Sequence, residues 1–142
     1  MGLTIYNNSK KSSIELSGGY GMFIKIRERV ANAWDKEFGQ HYSTLKYCYT
    51  KEDYRKFDEK AKEIIKNERF KNEDEDILVF LFASDCEGKI SYKTCKKIYE
   101  LIKDIIEPDL VLRYEYYSDN DWEDFKQLLQ DCYKYRTCMY WS

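Results

Sequence analysis

The chain has 142 residues, which is the usual size of a single domain and long enough to bury a hydrophobic core. Hydrophobic residues make up 43% of it and charged residues 35%, a mixture that is typical of globular proteins and excludes an intrinsically disordered chain. The 24 basic residues are offset by 26 acidic ones, so the net charge of −2 gives no electrostatic reason to expect a nucleic acid as partner.

The first part of the chain predicts short strands followed by a helix. Apolar and polar residues alternate near the N-terminus, so residues 1–17 are expected to form short strands or a mobile segment. From Met22 to about Phe38, apolar residues recur every three or four positions. This spacing predicts an amphipathic helix that ends at Gly39 as a C-cap.

Two further helices are predicted in the middle of the chain. The first covers about residues 51–67 and has Thr50 as its N-cap. An acidic run precedes the second helix, where negative charge suits the positive end of the helix dipole. Residues 77–82 are apolar on every side, so we expect this helix to be central and fully buried.

The C-terminal third predicts two more helices and one ambiguous segment. Ser91 is the expected N-cap of a helix that stops near Pro108, and a last helix carries its apolar face from Trp122 onward. Residues 109–117 fit either a strand or a short helix. The sequence therefore predicts a mainly α fold, a single compact domain over residues 1–142 with about five helices, and a small β element near the N-terminus or at residues 110–116 as an option.

Composition also indicates where the protein works. No basic segment followed by an apolar one stands at the N-terminus, so no signal peptide is expected, and the longest apolar run is too short to span a bilayer. The five cysteines form no C-x-x-C pair and are expected to be free thiols in a reducing compartment. Lysine outnumbers arginine and proline occurs once, which is typical of AT-rich coding. We therefore expect a cytoplasmic protein of a bacterium or its phage.

The stretch Ser84–Ser91 joins the most apolar helix to its amphipathic neighbour and is the first candidate for function. With Gly88 at position 6 of an EF-hand loop, Asp85 and Glu87 stand at ligand positions 3 and 5. Positions 1 and 12 both lack a carboxylate, so we expect no bound metal. Two alternatives are a helix–turn–helix connector, in which Gly88 has a positive φ and Asp85 bonds to nearby amides, and a polar tip that binds another ligand.

The tip residues Ser84-Asp85-Cys86-Glu87-Gly88, together with the upstream Gly19-Tyr20-x-x-Phe23-x-x-x-Arg27, resemble a protein family. That family consists of small uncharacterised proteins from Gram-positive bacteria and their phages, with an S-D-C-x-G tip between two helices. The likeness covers about residues 18–106, and Ile26 stands where the family has a second aromatic residue. The resemblance implies the two-helix unit and a bacterial or phage source, and it implies no activity.

The glycine-rich start of the first helix is a second candidate site. Amide N–H groups at a helix N-terminus can hold an anion, which makes Gly18, Gly19 and Tyr20 candidate ligand-binding residues. A flexible start of the helix is the alternative. Arg27 lies near the apolar face of the same helix, and a buried arginine needs a carboxylate, for which Asp85 or Glu87 is the expected partner.

Enzyme signatures are poor, so a non-enzymatic protein without a cofactor is predicted. His41 is the single histidine and has no spaced carboxylate or nucleophile as partner. The spacing of cysteine and histidine does not suit zinc. Cys86 is the one thiol on a polar tip, and a thiol-dependent enzyme that uses Cys86 is kept as an alternative.

Aromatic residues make up 17% of the chain and cluster in its C-terminal third. Tyr114, Tyr116, Tyr117 and Trp141 are candidates for a protein interface, and packing within the domain is the alternative. The sequence thus favours a small binding or inhibitor protein that occludes a host or bacterial partner protein. A second hypothesis is sequestration of an anionic small molecule, such as a nucleotide signal, as part of an anti-defence function. A membrane partner is not expected, and the oligomeric state is left open.

Overall fold

The computed structural model describes residues 2–12, 14–70, 75–106 and 121–142. These residues form a mainly α fold with a small antiparallel sheet, and none of the helices among them is long and apolar enough to cross a lipid bilayer. The helices are α1 (Tyr20–Trp34), α2 (Lys36–Tyr42), a 3-10 helix (Ser43–Tyr47), α3 (Lys51–Ile65), α4 (Glu75–Phe82), α5 (Tyr92–Ile102) and α6 (Asp121–Lys134). The strands are β1 (Gly2–Asn7), β2 (Leu16–Gly19), β3 (Gly88–Ile90) and β4 (Met139–Trp141).

The sheet brings three distant parts of the chain together. Its strand order is β2-β1-β4-β3, and each neighbouring pair is antiparallel. Ile5 of β1 and Met139 and Trp141 of β4 are buried on the face that packs against the helices. The sequence predicted a small β element near the N-terminus, but it did not predict β3 or β4.

The helix predicted from Met22 to Phe38 is two helices, because the chain breaks at Asp35. The backbone of Asp35 is extended, and its carboxylate accepts a hydrogen bond of 2.9 Å from the Phe38 amide as the N-cap of α2. Gly39 lies inside α2 and packs against α1, where a Cβ on Gly39 would be 2.5 Å from the Cα of Asn32. The prediction of Gly39 as a C-cap was wrong, and the glycine instead permits close contact between the two helices.

We expect Asp35→Asn to lower the free energy of unfolding at neutral pH. Arg69, whose Nε lies 2.8 Å from Asp35 Oδ1, and the Phe38 amide hold the pKa of this carboxyl below its ordinary value of 3.8. Since the pKa is lowered in the folded state, the stabilisation is complete above the unfolded pKa and is lost as the pH falls through the folded pKa. Urea denaturation of both proteins should therefore show a difference that shrinks well below pH 3.8. An equal difference in stability at neutral pH and at a pH well below 3.8 would contradict this account.

Thr50 caps α3 as predicted. Its hydroxyl accepts a hydrogen bond of 3.0 Å from the Asp53 amide, and the Asp53 carboxylate accepts one of 3.0 Å from the Thr50 amide. Thr50→Ala removes one half of this capping box and should lower the free energy of unfolding by about 1 kcal/mol. Thr50→Ser is the matched control and should keep most of the stability in thermal or urea denaturation. If both variants were equally destabilised, the methyl group and not the cap would be responsible.

Helix α4 is less buried than its sequence predicts. Ile77, Phe80 and Leu81 face the core, but Val79 is 61% exposed and Phe82 is 43% exposed. The prediction of a fully buried helix was therefore wrong. The helix packs with one face against α1 and α5 and leaves apolar side chains on the other face.

The last two helices agree with their predicted signals. Ser91 caps α5 by accepting a hydrogen bond of 3.3 Å from the Thr94 amide, and the predicted apolar face of α6 is buried. Helix α6 ends where Arg136 takes a positive φ of 51° and the Thr137 amide donates to the Cys132 carbonyl at 3.0 Å. This turn directs the chain back into β4. Residues 109–117, predicted as strand or helix, lie outside the described residues.

Candidate functional site

Three side chains cover the carbonyl groups at the end of α4. Arg27 donates from Nη1 to the Ala83 oxygen at 2.8 Å and from Nη2 to the Ser84 oxygen at 3.2 Å. The indole N–H of Trp141 donates to the same Ser84 oxygen at 2.8 Å, and the Tyr42 hydroxyl donates to the Leu81 oxygen at 2.7 Å. These donors satisfy carbonyls that a helix end leaves without an intrahelical partner, and the charge of Arg27 suits the negative end of the dipole.

Arg27 is a buried cation that forms no ion pair with the residues that the structure describes. Its side chain is 5% exposed, and the guanidinium carbon lies 4.1 Å from the Phe23 ring centroid and 5.7 Å from the Trp141 ring. Burial lowers the pKa of Arg27, and the neighbouring Tyr42 counteracts part of this shift. The Nε atom is buried and has no hydrogen-bond acceptor within residues 2–12, 14–70, 75–106 and 121–142. Five N–H donors are available in a guanidinium, and two of them bind main-chain oxygens.

The predicted ion pair of Arg27 with Asp85 or Glu87 was wrong. Main-chain oxygens occupy the place expected for the carboxylate, and Asp85 acts on Arg27 only through its charge at longer range. No carboxylate among the described residues forms an ion pair with Arg27. A buried arginine can therefore be held by a helix end in place of an acid.

The end of α5 is built in a similar way and provides a comparison. Lys126 donates to the carbonyl oxygens of Lys103 and Ile105 at 3.3 and 3.1 Å, and the indole of Trp122 donates to the Ile105 oxygen at 2.9 Å. Lys126 also forms an ion pair of 3.0 Å with Glu123. The charge of Lys126 is thus compensated by a carboxylate, whereas no carboxylate in the described part of the chain pairs with Arg27.

Arg27 lies in the wall of a pocket of about 460 Å³ between α1, α2, the 3-10 helix, α3 and the end of α4. Four aromatic side chains line this pocket, and two of them, Tyr54 and Phe82, are about half exposed to solvent. Its charged groups are two cations and three carboxylates. The aromatic residues are Tyr42, Tyr54, Phe57 and Phe82, the cations are Arg27 and Lys46, and the carboxylates are Glu28, Asp58 and Asp85. We refer to this cavity as the Arg27 pocket.

The charges of the Arg27 pocket differ in burial. Glu28 is nearly buried and pairs with Lys46 at 3.5 Å. Asp58 and Asp85 are exposed, so water and salt screen their charges. The buried charge of the pocket that pairs with no described carboxylate is the guanidinium of Arg27.

The structure brings several of the predicted site residues to one end of α1. Burial, and then the neighbouring Cys86 and Asp85, raise the pKa of Tyr20, so these three side chains are close together. The Cys86 thiol donates a hydrogen bond of 3.4 Å to Asp85 Oδ1. Glu87 is exposed and takes no part in this cluster.

The glycine-rich start of α1 is not a loop that surrounds an anion. Gly18 and Gly19 belong to β2 and pair with Leu3 and Gly2 of β1. A Cβ on Gly18 would lie 2.8 Å from Met22 Sδ, so this glycine is close to a core side chain. Both glycines therefore belong to the sheet, and packing against Met22 explains the glycine at position 18.

Gly88 does not have the positive φ that an EF-hand loop or the predicted turn requires. It lies in β3 opposite Trp141, and a Cβ at this position would be 2.3 Å from Trp141 Cζ2. The expected helix–turn–helix connector is therefore a helix, a turn, a short strand and a helix. Among the described residues, no group of three or more histidine, cysteine, aspartate and glutamate side chains is placed to hold a metal ion.

The remaining sequence candidates are not assembled into a site. Trp141 is 1% exposed and cannot be an interface residue, because its ring belongs to the core. Tyr114, Tyr116 and Tyr117 lie outside the described residues. His41 stacks on Phe57 with ring centroids 4.3 Å apart, and its Nε2 lies 2.9 Å from the Phe57 oxygen. Both the ring and the Nε2 atom of His41 thus have partners within the fold.

Sequence reasoning missed the part of the pocket formed by Tyr42, Leu45 and Phe82. Tyr42 and Leu45 lie in α2 and the 3-10 helix, beyond the predicted end of the first helix, and Phe82 lies in a helix that was expected to be wholly buried. Comparison of the chain with protein-family models, with curated proteins and with solved structures gave no match. The interpretation of the site therefore depends on its own geometry.

Proposed function

We propose that the protein is a non-enzymatic binding protein that sequesters an anionic small molecule with a flat aromatic part, such as a nucleotide, in the Arg27 pocket. The observation that carries this proposal is the buried guanidinium of Arg27, which has no carboxylate partner in the described part of the chain. Burying a charge is unfavourable unless an opposite charge accompanies it. Lys126 has such a partner in Glu123, and the anionic group of a ligand would supply one to Arg27.

The dimensions and walls of the pocket support a small ligand. Its volume of about 460 Å³ is within the range of about 300–1,000 Å³ for small-molecule sites. Half-exposed rings of Phe82 and Tyr54 offer apolar faces on which a nucleobase or another flat ring can pack. An anionic group at Arg27 and a ring against these faces would use both features of the cavity.

The carboxylates at the pocket restrict the kind of anion. The exposed Asp58 and Asp85 would repel a second negative group, and Lys46 is already paired with Glu28. Because the repulsion grows with the charge of the ligand, a ligand with a single phosphate or carboxylate is favoured over a polyphosphate. This expectation separates the ligands in a binding experiment.

The other hypotheses receive less support from the described residues. A thiolate nucleophile needs a base or a cation beside it, and the neighbours of Cys86 are Asp85 and Tyr20. Occlusion of a partner protein was predicted from four aromatic residues, of which the described one, Trp141, is buried. We therefore place the binding of a small anion first.

The first experiment measures thermal unfolding with a panel of probes: inorganic phosphate, benzoate, nucleoside monophosphates, nucleoside triphosphates and cyclic dinucleotides. A ligand present at a hundredfold excess over its dissociation constant stabilises the folded state by about 2.7 kcal/mol, which raises the melting temperature by several degrees. We expect the largest shift from an aromatic probe with one anionic group. No shift with any probe would refute the proposed function.

Two variants and one control then locate the bound probe. Arg27→Met and Lys126→Met each remove a cation that covers a helix end, so both are expected to lose stability, but only Arg27→Met should abolish the shift produced by the probe. Tyr54→Ala removes an exposed ring of the pocket and should weaken binding while the fold is kept. Binding that survives both Arg27→Met and Tyr54→Ala would show that the site lies elsewhere.

A further inference from the structure

The outer face of the sheet carries a row of two tyrosines and a lysine across three strands. The register pairs Tyr6 of β1 with Tyr140 of β4, and Tyr140 with Lys89 of β3. The two tyrosine rings are stacked, with centroids 5.6 Å apart and planes at 21°. Ile5 and Met139, which alternate with these residues, point to the core and are buried. The row therefore lies on the side of the sheet away from the described core.

Cations gather at the end of the sheet next to this row. Asn7, Met139 and Ile90 stand side by side at that end, so the segments that leave or enter the three strands there are close together. Each of these segments contributes exposed basic residues. These basic residues are Lys10, Lys11, Lys93, Lys134 and Arg136, and Lys89 of β3 is the sixth cation. We refer to the six cations, together with Tyr6 and Tyr140, as the basic face.

The cations of the basic face are not neutralised by the described part of the protein. No described carboxylate forms an ion pair with any of the six. Lys11 and Lys134 instead lie 6.0 and 5.3 Å from the centroid of the Tyr135 ring. The neighbouring carboxylate of Asp131 accepts hydrogen bonds from Ser12 and Gln127. Although the net charge of the chain is −2, the described residues thus place six exposed cations without an ion pair on strand β3 and on the segments at one end of the sheet.

We infer that the basic face binds a single-stranded nucleic acid, with phosphates on the lysine and arginine side chains and bases on the tyrosine rings. Proteins that bind single strands without sequence preference combine a positively charged track with aromatic side chains, since every base has a face that can stack. A duplex hides these faces between its base pairs, so the tyrosines favour single strands. Net charge alone had argued against nucleic acid, but it averages over the chain and does not report a local patch.

The test is fluorescence anisotropy with labelled 15-nucleotide oligothymidine and oligouridine and the intact protein. We expect binding at low salt that weakens steeply as salt is raised, because each phosphate contact releases a counterion. The double variant Lys89→Glu/Lys134→Glu should weaken binding by at least about tenfold. The control Lys56→Glu/Lys62→Glu makes the same change of charge on exposed positions of α3 and should leave the affinity within about twofold of wild type.

Tyr140→Thr separates stacking from charge. It keeps a residue that suits a strand but removes the ring, and it should weaken binding by about fivefold or more. The inference is overturned if neither oligonucleotide binds at low salt or if the α3 control loses as much affinity as the basic-face variant. It is also overturned if Tyr140→Thr and wild type bind equally, or if vesicles containing phosphatidylserine or a duplex of equal length bind better than the single strands.

Discussion

Trp141→Ala is expected to lower the free energy of unfolding by about 3–5 kcal/mol, the range for removing a fully buried large aromatic side chain. The indole is 1% exposed and packs at 5.3 Å from the Phe23 ring and 6.1 Å from the Phe80 ring. Its N–H also donates to the Ser84 oxygen, so the substitution leaves a cavity and removes one donor at the end of α4. Urea denaturation followed by circular dichroism measures the loss.

A double-mutant cycle tests whether Gly88 is in direct contact with the Trp141 ring. In the wild type, Gly88→Ala places a Cβ against Trp141 Cζ2 and should lower the free energy of unfolding by about 1–3 kcal/mol through overpacking. In the Trp141→Ala background the ring is absent, so Gly88→Ala should have little further effect. Additive losses in the double variant would contradict the proposed contact, because independent sites add and touching residues do not.

Gly39→Ala is expected to lower the free energy of unfolding by about 1–3 kcal/mol. Helix propensity alone would give the opposite sign, since alanine is favoured over glycine inside a helix by about 1 kcal/mol. Steric overlap outweighs the gain in helix propensity, because the new Cβ meets the Asn32 Cα, a backbone atom that cannot rotate away. Helices α1 and α2 must then move apart, and the core around the buried Phe38 loosens.

Gly21 provides the matched control for this prediction. It is an exposed glycine in the first turn of α1, where Gly21→Ala should be neutral or stabilising by at most about 1 kcal/mol. Thermal denaturation of both variants therefore separates propensity from packing. Equal stability of Gly39→Ala and Gly21→Ala would show that α1 and α2 do not touch as closely as the structure indicates.

Features of the fold that depend on nearby residues were predicted well from the sequence. The caps at Thr50 and Ser91 are confirmed, because a cap needs only a hydroxyl and an amide three residues later. The break at Asp35 was missed, since the apolar spacing continues across it and the ion pair with Arg69 joins residues far apart in sequence. The position of β4 in the sheet was missed for the same reason, because its partners lie at the opposite end of the chain and in the middle.

The sequence predicted which residues form the candidate site better than it predicted the contacts between them. Tyr20, Asp85 and Cys86 do come together, and Arg27 lies beside the same turn. Its partner was predicted wrongly because pairing by charge was considered and the carbonyls of the helix end were not. A physical signal was present: the predicted helix before Ser84 has no glycine at its end, so its last carbonyls needed donors from elsewhere.

The position of β4 between β1 and β3 has a consequence for how the chain folds as it is synthesised. Strands β1 and β2 are complete once Gly19 has left the ribosome, but the edge of β1 that pairs with β4 stays open until residues 139–141 emerge. Pairing between segments so far apart in sequence is slow, and an open strand edge can join other chains in the meantime. We therefore expect closure of the sheet to be the late, rate-limiting event of folding, and the period before it to be when the nascent protein depends most on chaperones.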